Sequence, residues 1–295
     1  MVRMTGGGVT NKVGRVIKAL SIFASTPDME ADAFMVRVMT GTLREIAAQS
    51  VEWGYDGFEL LPNPQHVPEP ADVERALLEA GACVTVINSG RVYAQGMALL
   101  HEDLDERRRA MLAYKRLIDL GAALGAPIGL GAARGAKDRC IAGPELNAVA
   151  LGVFEELASY ATSVGGLVML EPADSDEVPS VPTVAEAVAW VERIDSPSLR
   201  IMLDTYQIAT VEDSFEAAFA ASKGLARHIH LYDPGRRPPG TSVAGEQLDW
   251  AGVARGLAAS GFEGTGSVVL PEGDAAEAED AARTSARFLR GLLVE

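Results

Sequence analysis

Four side chains able to hold a divalent cation stand at or near the ends of four successive apolar runs of this 295-residue chain. Glu171 falls in LVMLEP (167–172), Asp204 closes LRIMLD (199–204), His230 lies in HIHLYD (228–233) and Glu272 closes SVVLPE (267–272). Three carboxylates and one imidazole make a hard, oxygen-rich donor set. Such a set suits Mn2+, Mg2+ or Co2+ better than a metal selected by thiolates. A single carboxylate at the end of an apolar run is more often a helix cap or a solvated loop group. One in each of three runs and a histidine in the fourth shift that balance toward a site. The stretch HIHLYDPGRRPPG (228–240) adds His228, Arg236, Arg237 and a Pro-Pro-Gly turn.

These groups meet only if the fold brings the run ends together. Four further runs precede them: VIKALSIFA (16–24), GFELL (57–61), CVTVIN (83–88) and PIGLG (127–131). Eight short runs, apolar on both faces, match strands covered by helices outside and packed in layers inside. The segments between them carry helical periodicity. Met111, Tyr114, Leu117, Ile118, Leu120 and Leu124 are spaced for one helix face, and Gly125 before Ala126-Pro127 stops it. Val184, Ala187, Val188 and Val191 line one side of another helix. LDWAGVARGLAASGFEG (248–264) ends in a glycine stop. Repeated β-then-α units without a linker predict a single-domain α/β fold, a (β/α)8 TIM barrel over 15–295, with 1–14 a Gly-rich tail. A doubly wound open sheet is second choice, because no Gly-rich phosphate loop accompanies the strands. In a barrel, the C-terminal strand ends line the mouth where the active site sits.

Bulk composition narrows the function. Lys and Arg number 26 against 41 Asp and Glu, a formal charge of −15. A phosphate backbone is repelled by that charge, which argues against nucleic acid, whereas a neutral sugar is indifferent to it. Cys83 and Cys140 show neither metal spacing nor a disulfide framework, which fits a reducing cytoplasm. No apolar run approaches the roughly 18 residues of a membrane span. The opening MVRMTGGGVTNK has no apolar signal-peptide core and is expected to be a tail.

LEPADSDE (170–177), LDTYQ (203–207) and HIHLYDPGRRPPG resemble the sugar phosphate isomerase/epimerase group of xylose isomerase-like barrels, and within it the ketose 3-epimerases that act on D-tagatose and D-allulose. EDLDERRRAMLAYKRLIDLGAALGAP (102–127) and LDWAGVARGLAASGFEG share the likeness, which runs through most of the chain from about residue 15. The resemblance implies one bound divalent ion, Mn2+ first. It implies Glu171 as metal ligand and acid/base, Asp204 and His230 as ligands, and Glu177 and Arg236 as substrate contacts. Two positions depart from the pattern. Gln207 stands where the family commonly has histidine; it can hydrogen-bond a sugar hydroxyl but takes up no proton. On the last strand, Pro271 occupies the expected place of the final catalytic glutamate, and Glu272, one residue along, is assigned that role. A one-residue slip turns a side chain to the other face of a strand unless a bulge or the proline re-aims it.

The chemistry so implied is proton removal beside the carbonyl of a keto-sugar, with an enediolate stabilised by the cation. Glu171 and Glu272, on opposite faces, would take the proton and return it, giving epimerisation or isomerisation. A single base with a metal instead supports a lyase or dehydratase acting on a keto-sugar, keto-inositol or 3-keto-glycoside. A barrel with a decayed site that merely binds sugar is the non-enzymatic alternative. His66 in PNPQHVPEP (62–70) can border the substrate, and Asn88-Ser89 can either touch it or form a turn. His228 reads as a core histidine, Trp53 and Trp190 as packing, Arg237 as a solvated or ion-paired neighbour, and GAARG (131–135) as a flexible loop. Self-association or a different partner subunit is compatible with the sequence.

Overall fold

The computed structural model of the chain describes residues 16–26, 36, 37, 39–243, 245–271 and 275–294. Glu272 and the expected tail 1–14 lie outside them. The strands are β1 (Ile17–Ser25), β2 (Val36–Arg37), β3 (Met39–Thr40), β4 (Gly57–Leu61), β5 (Cys83–Asn88), β6 (Ile128–Leu130), β7 (Val168–Leu170), β8 (Leu199–Asp204), β9 (Ala226–Leu231), β10 (Gly264–Val268) and β11 (Leu270–Pro271). The helices are α1 (Leu43–Glu52), α2 (Pro70–Ala80), α3 (Gly90–Ala94), α4 (Leu104–Leu124), α5 (Leu146–Val164), α6 (Val184–Ile194), α7 (Thr205–Val211), α8 (Phe215–Ser222), α9 (Trp250–Ala259) and α10 (Ala275–Arg290).

Strands β1, β4, β5, β6, β7, β8, β9 and β10 pair in parallel in that order, and β10 pairs back with β1. The eight apolar runs thus close as the eight strands of a (β/α)8 barrel. Short β3 extends the sheet beside β1, while β11 and β2 pair antiparallel apart from it. Closure leaves no open edge among the eight strands.

The helices bury the faces that their spacing predicts. In α6 the buried residues are Val184, Ala187, Val188 and Val191. In α4 Met111, Tyr114, Leu117, Ile118 and Leu120 are buried, with Leu124 partly so. Asp103, one residue before α4, accepts from the amides of Asp105 and Glu106. Gly125 ends that helix in the left-handed conformation at φ 67°, which costs glycine nothing.

Strand register sets the site. Asp204 on β8 lies opposite His230 on β9, and His230 lies opposite Ser267 on β10. Side chains alternate between faces, so His228, His230 and Tyr232 share one side of the β9 path. Inside the barrel, Val86, Met169 and Met202 pack together. Beside them runs a buried polar chain: Thr85 and Ser21 hydroxyls at 2.6 Å, then Ser21 and Ser267 at 2.7 Å.

GAARG differs from the flexible loop expected. Residues Ala132–Arg134 form a 3-10 turn, and Arg134 is fully buried. Its Nε donates to Ser180 Oγ at 3.0 Å, Nη2 to the Ser180 carbonyl at 2.8 Å, and Nη1 to the Leu130 and Gly131 carbonyls. A buried guanidinium holds its place when its donors are satisfied. Ser180, which takes two of these bonds, lies 46 residues away in sequence, beyond the reach of local pattern.

Candidate active site

Glu171 follows β7 directly, and its amide donates to the Leu130 carbonyl at 3.2 Å. Asp204 is the last residue of β8 and also the N-cap of α7. Its Oδ1 accepts from the Tyr206 amide at 2.6 Å and the Gln207 amide at 3.1 Å, which leaves Oδ2 free to face inward. That oxygen is 3.6 Å from His230 Nδ1, and Glu171 Oε1 is 3.4 Å from the same nitrogen. One donor atom from each of Glu171, Asp204 and His230 lies within 4.8 Å of the other two. Bonds of about 2.0–2.2 Å to one shared ion would span such separations. The donor set and its spacing therefore fit a divalent cation. Three of the four residues read as ligands meet; Glu272 lies outside the described residues.

Electrostatics favour positive charge at this point. Burial alone would push the His230 imidazolium down. The carboxylates of Glu59, Asp204 and Glu171 around it raise it well above the ordinary histidine value of 6.5. His228, fully buried behind it, is lowered by burial despite Glu59. Burial and the Asp204 charge raise the Tyr232 phenol well above 10, so it stays protonated.

A cavity of about 160 Å³ opens over the three donors, and Glu177, Gln207 and Arg236 form part of its wall. Glu177 Oε1 accepts from Arg236 Nη2 at 2.6 Å, and Oε2 accepts from Gln207 Nε2 at 2.9 Å. Gln207 Oε1 accepts from the Asp174 amide at 2.8 Å. The glutamine thus holds Glu177 in place with both ends of its amide occupied. Arg236 stacks over the Tyr206 ring at 4.0 Å and sits at φ 58°, a left-handed conformation that costs a non-glycine residue about 1–3 kcal/mol. The turn from Asp233 to Arg237 imposes it: the Asp233 amide donates to the Arg237 carbonyl at 2.8 Å. Arg237 itself turns outward to Glu246.

His66 is not brought to this cavity. It is exposed after β4 and lines another depression with Gln65, Met97, Arg109 and Arg116. Asn88 and Ser89 do line the main cavity, as do Phe23 and Tyr232. The Phe23 ring meets His230 edge-on at 5.0 Å. Glu59, inside β4 and fully buried, is a site residue that sequence reasoning passed over. Its signal was present: one charged side chain in the otherwise apolar GFELL. Val269, two residues beyond Ser267, packs with Phe23, Leu61 and Tyr232. Among the described residues, the last-strand path offers Thr265, Ser267 and Val269 on this side, none of them a carboxylate.

This chain belongs to the xylose isomerase-like TIM barrel family, whose model matches residues 47–292. It is 30% identical to D-psicose 3-epimerase of Agrobacterium fabrum (strain C58 / ATCC 33970) over 114 residues, a match covering 39% of this chain and 37% of that relative's length. It is 27% identical to 3-dehydro-D-guloside 4-epimerase of Escherichia coli (strain K12) over 225 residues, covering 72% of this chain and 81% of the relative. Its fold resembles the crystal structure of apo 3-keto-D-glucoside 4-epimerase from E. coli, with TM-score 0.74 and 20% identity over 92% of this chain and 99% of that one. D-psicose 3-epimerase from Clostridium cellulolyticum H10, solved with D-tagatose, gives TM-score 0.75 at 18% identity, over 94% and 100% of the two chains.

Proposed function

We propose that this protein is a divalent-metal-dependent epimerase of a keto-sugar. The observation that carries the reading is the convergence of Glu171, Asp204 and His230 Nδ1 beneath a cavity walled by Arg236 and Glu177. The named relatives, a D-psicose 3-epimerase and a 3-dehydro-D-guloside 4-epimerase, support a carbonyl sugar as substrate. The donors suit Mn2+, Mg2+ or Co2+, and Mn2+ is the cation proposed, in line with the family resemblance. When bound, the ion supplies Lewis-acid stabilisation of negative charge developing on substrate oxygens.

The remaining chemistry belongs to side chains. Glu171 takes the proton from the carbon beside the carbonyl. Arg236, fixed by Glu177 and Tyr206, binds the substrate's far hydroxyls, and protonated Tyr232 donates a hydrogen bond within the cavity. Gln207 acts on substrate through Glu177. Glu272 is proposed as the acid/base on the opposite face.

A second reading draws on the last strand, where the described residues Thr265, Ser267 and Val269 on the site's side carry no carboxylate. If Glu272 does not face the cavity, Glu171 works as the sole base, and proton removal leads to expulsion of a β leaving group from a 3-keto-glycoside or related keto-sugar. The test is incubation with Mn2+ and a panel of ketoses and 3-keto-glycosides in D2O, followed by NMR. Epimer formed with deuterium beside the carbonyl supports epimerisation. Release of the leaving group supports the lyase, and absence of exchange in every substrate leaves a sugar-binding barrel.

A further inference from the structure

We propose that Glu59 is a positioning residue for the cation site, acting through His230 and Asn88; this rests on the metal-dependent reading of the site. Glu59 is fully buried and is not among the residues lining the cavity, so it does not touch substrate. Its two oxygens face four donors from three other strands. Oε1 accepts from Asn88 Nδ2 at 2.5 Å and from His230 Nε2 at 3.3 Å. Oε2 accepts from Ser267 Oγ at 2.6 Å and lies 3.2 Å from His228 Nε2. A carboxylate has about four lone-pair positions, and here all are engaged.

Donor counting fixes the direction of the network. The Ser267 hydroxyl gives its one proton to Glu59, so the Ser21 hydroxyl directs its proton toward Ser267 at 2.7 Å and the Gly266 carbonyl at 3.2 Å. Thr85 then donates to Ser21 at 2.6 Å. His228 directs Nε2–H toward Ser267 and Glu59, and its Nδ1 accepts from Thr265 Oγ1 at 2.7 Å. The donors of Asn88, His228, His230 and Ser267 thus converge on Glu59.

The consequence falls on His230. With Nε2–H committed to Glu59, Nδ1 is the nitrogen that faces the gap between Glu171 and Asp204, and a cation bound there would take its lone pair in place of a proton. A carboxylate behind a ligating histidine fixes the ring's tautomer and orientation and raises its basicity. The same carboxylate holds Asn88, whose Oδ1 accepts from the Gly90 amide at 2.7 Å and whose side chain borders the cavity. Glu59 therefore ties the cation ligand and the substrate wall to one buried anchor. Its saturated oxygens also explain why Glu59, His228 and His230, though clustered, form a hydrogen-bonded support and not a second cation site.

The test compares full-length wild type with Glu59→Gln, which keeps shape but replaces one acceptor by a donor. Mn2+ binding to chelator-treated protein is measured by calorimetry. The expected loss is about 10–100-fold in affinity for Glu59→Gln, with partial recovery in Glu59→Asp and near-wild-type circular dichroism. A second measurement needs no variant. 15N spectra of histidine-labelled wild type loaded with Mg2+ should show His230 protonated at Nε2 and bare at Nδ1. Equal Mn2+ affinity in wild type and Glu59→Gln, or a His230 protonated at Nδ1, overturns the positioning role alone. A wild type that binds no Mn2+ overturns it together with the metal-dependent reading.

Discussion

Asp204 uses its two oxygens for two tasks. One caps α7, the ordinary fate of a strand-end carboxylate, and the other faces His230. Glu171 is more exposed to the cavity, and a Cβ at Gly131 would lie 2.2 Å from its Oε2. Gly131→Ala should therefore displace the proposed base and reduce proton exchange at least tenfold while leaving the melting temperature within a few degrees. Glu171→Gln should lower exchange by about 10²–10⁴-fold. His230 supplies a pH signature. Its imidazolium is raised by the surrounding carboxylates, so in the metal-free protein its stabilising contribution is fully present below the ordinary value of 6.5 and is lost as pH rises through the higher folded value. A cation takes that proton's place. The Mn2+-induced rise in melting temperature should thus be larger at about pH 8.5 than at about pH 6; a rise that is larger at acid pH would refute the assignment. Glu171, Asp204 and His230 were legible because the end of a barrel strand is a marked position. Glu59 was not, because its meaning depends on Asn88, His228, His230 and Ser267, which other strands bring to it.

At the scale of elements, the loop after β9 shows how a rigid turn carries a functional side chain. Asp233 accepts from Trp250 Nε1 at 2.8 Å, from the Leu248 amide at 3.1 Å and from the Gly240 amide at 3.1 Å. It thereby ties the Gly240 end of the Pro-Pro-Gly segment to the start of α9. Gly240 closes that segment at φ 79°, where a Cβ would come within 2.8 Å of the Phe288 ring. Asp233→Ala strands three donors and should destabilise the fold by about 2–4 kcal/mol in denaturant melts. It should also weaken substrate binding through Arg236, although the Asp233 side chain, three residues past His230, bonds Gly240, Leu248 and Trp250 and none of the proposed cation ligands. The eight strands and the buried faces of α4 and α6 were readable from apolar runs and helical spacing. The 3-10 turn holding Arg134 was not, because Gly and Ala around one arginine look mobile until Ser180 is seen to receive it.

For the whole molecule, barrel closure is what turns scattered strand ends into one site. The β8–β9 and β9–β10 pairings set Asp204, His230 and Ser267 in adjacent positions, and the β10–β1 pairing closes the ring around them. Among the described residues, no helix is long and apolar enough to cross a membrane. The formal charge of −15 adds a long-range attraction for a divalent cation, and that attraction weakens with salt. The most direct measurement is therefore calorimetric titration of Mn2+ into chelator-treated protein at physiological salt, in wild type and in Asp204→Asn. One ion per chain in wild type, with binding weakened at least tenfold in the variant, is the predicted result. No binding in wild type, or equal binding in both, would contradict a cation held by Glu171, Asp204 and His230.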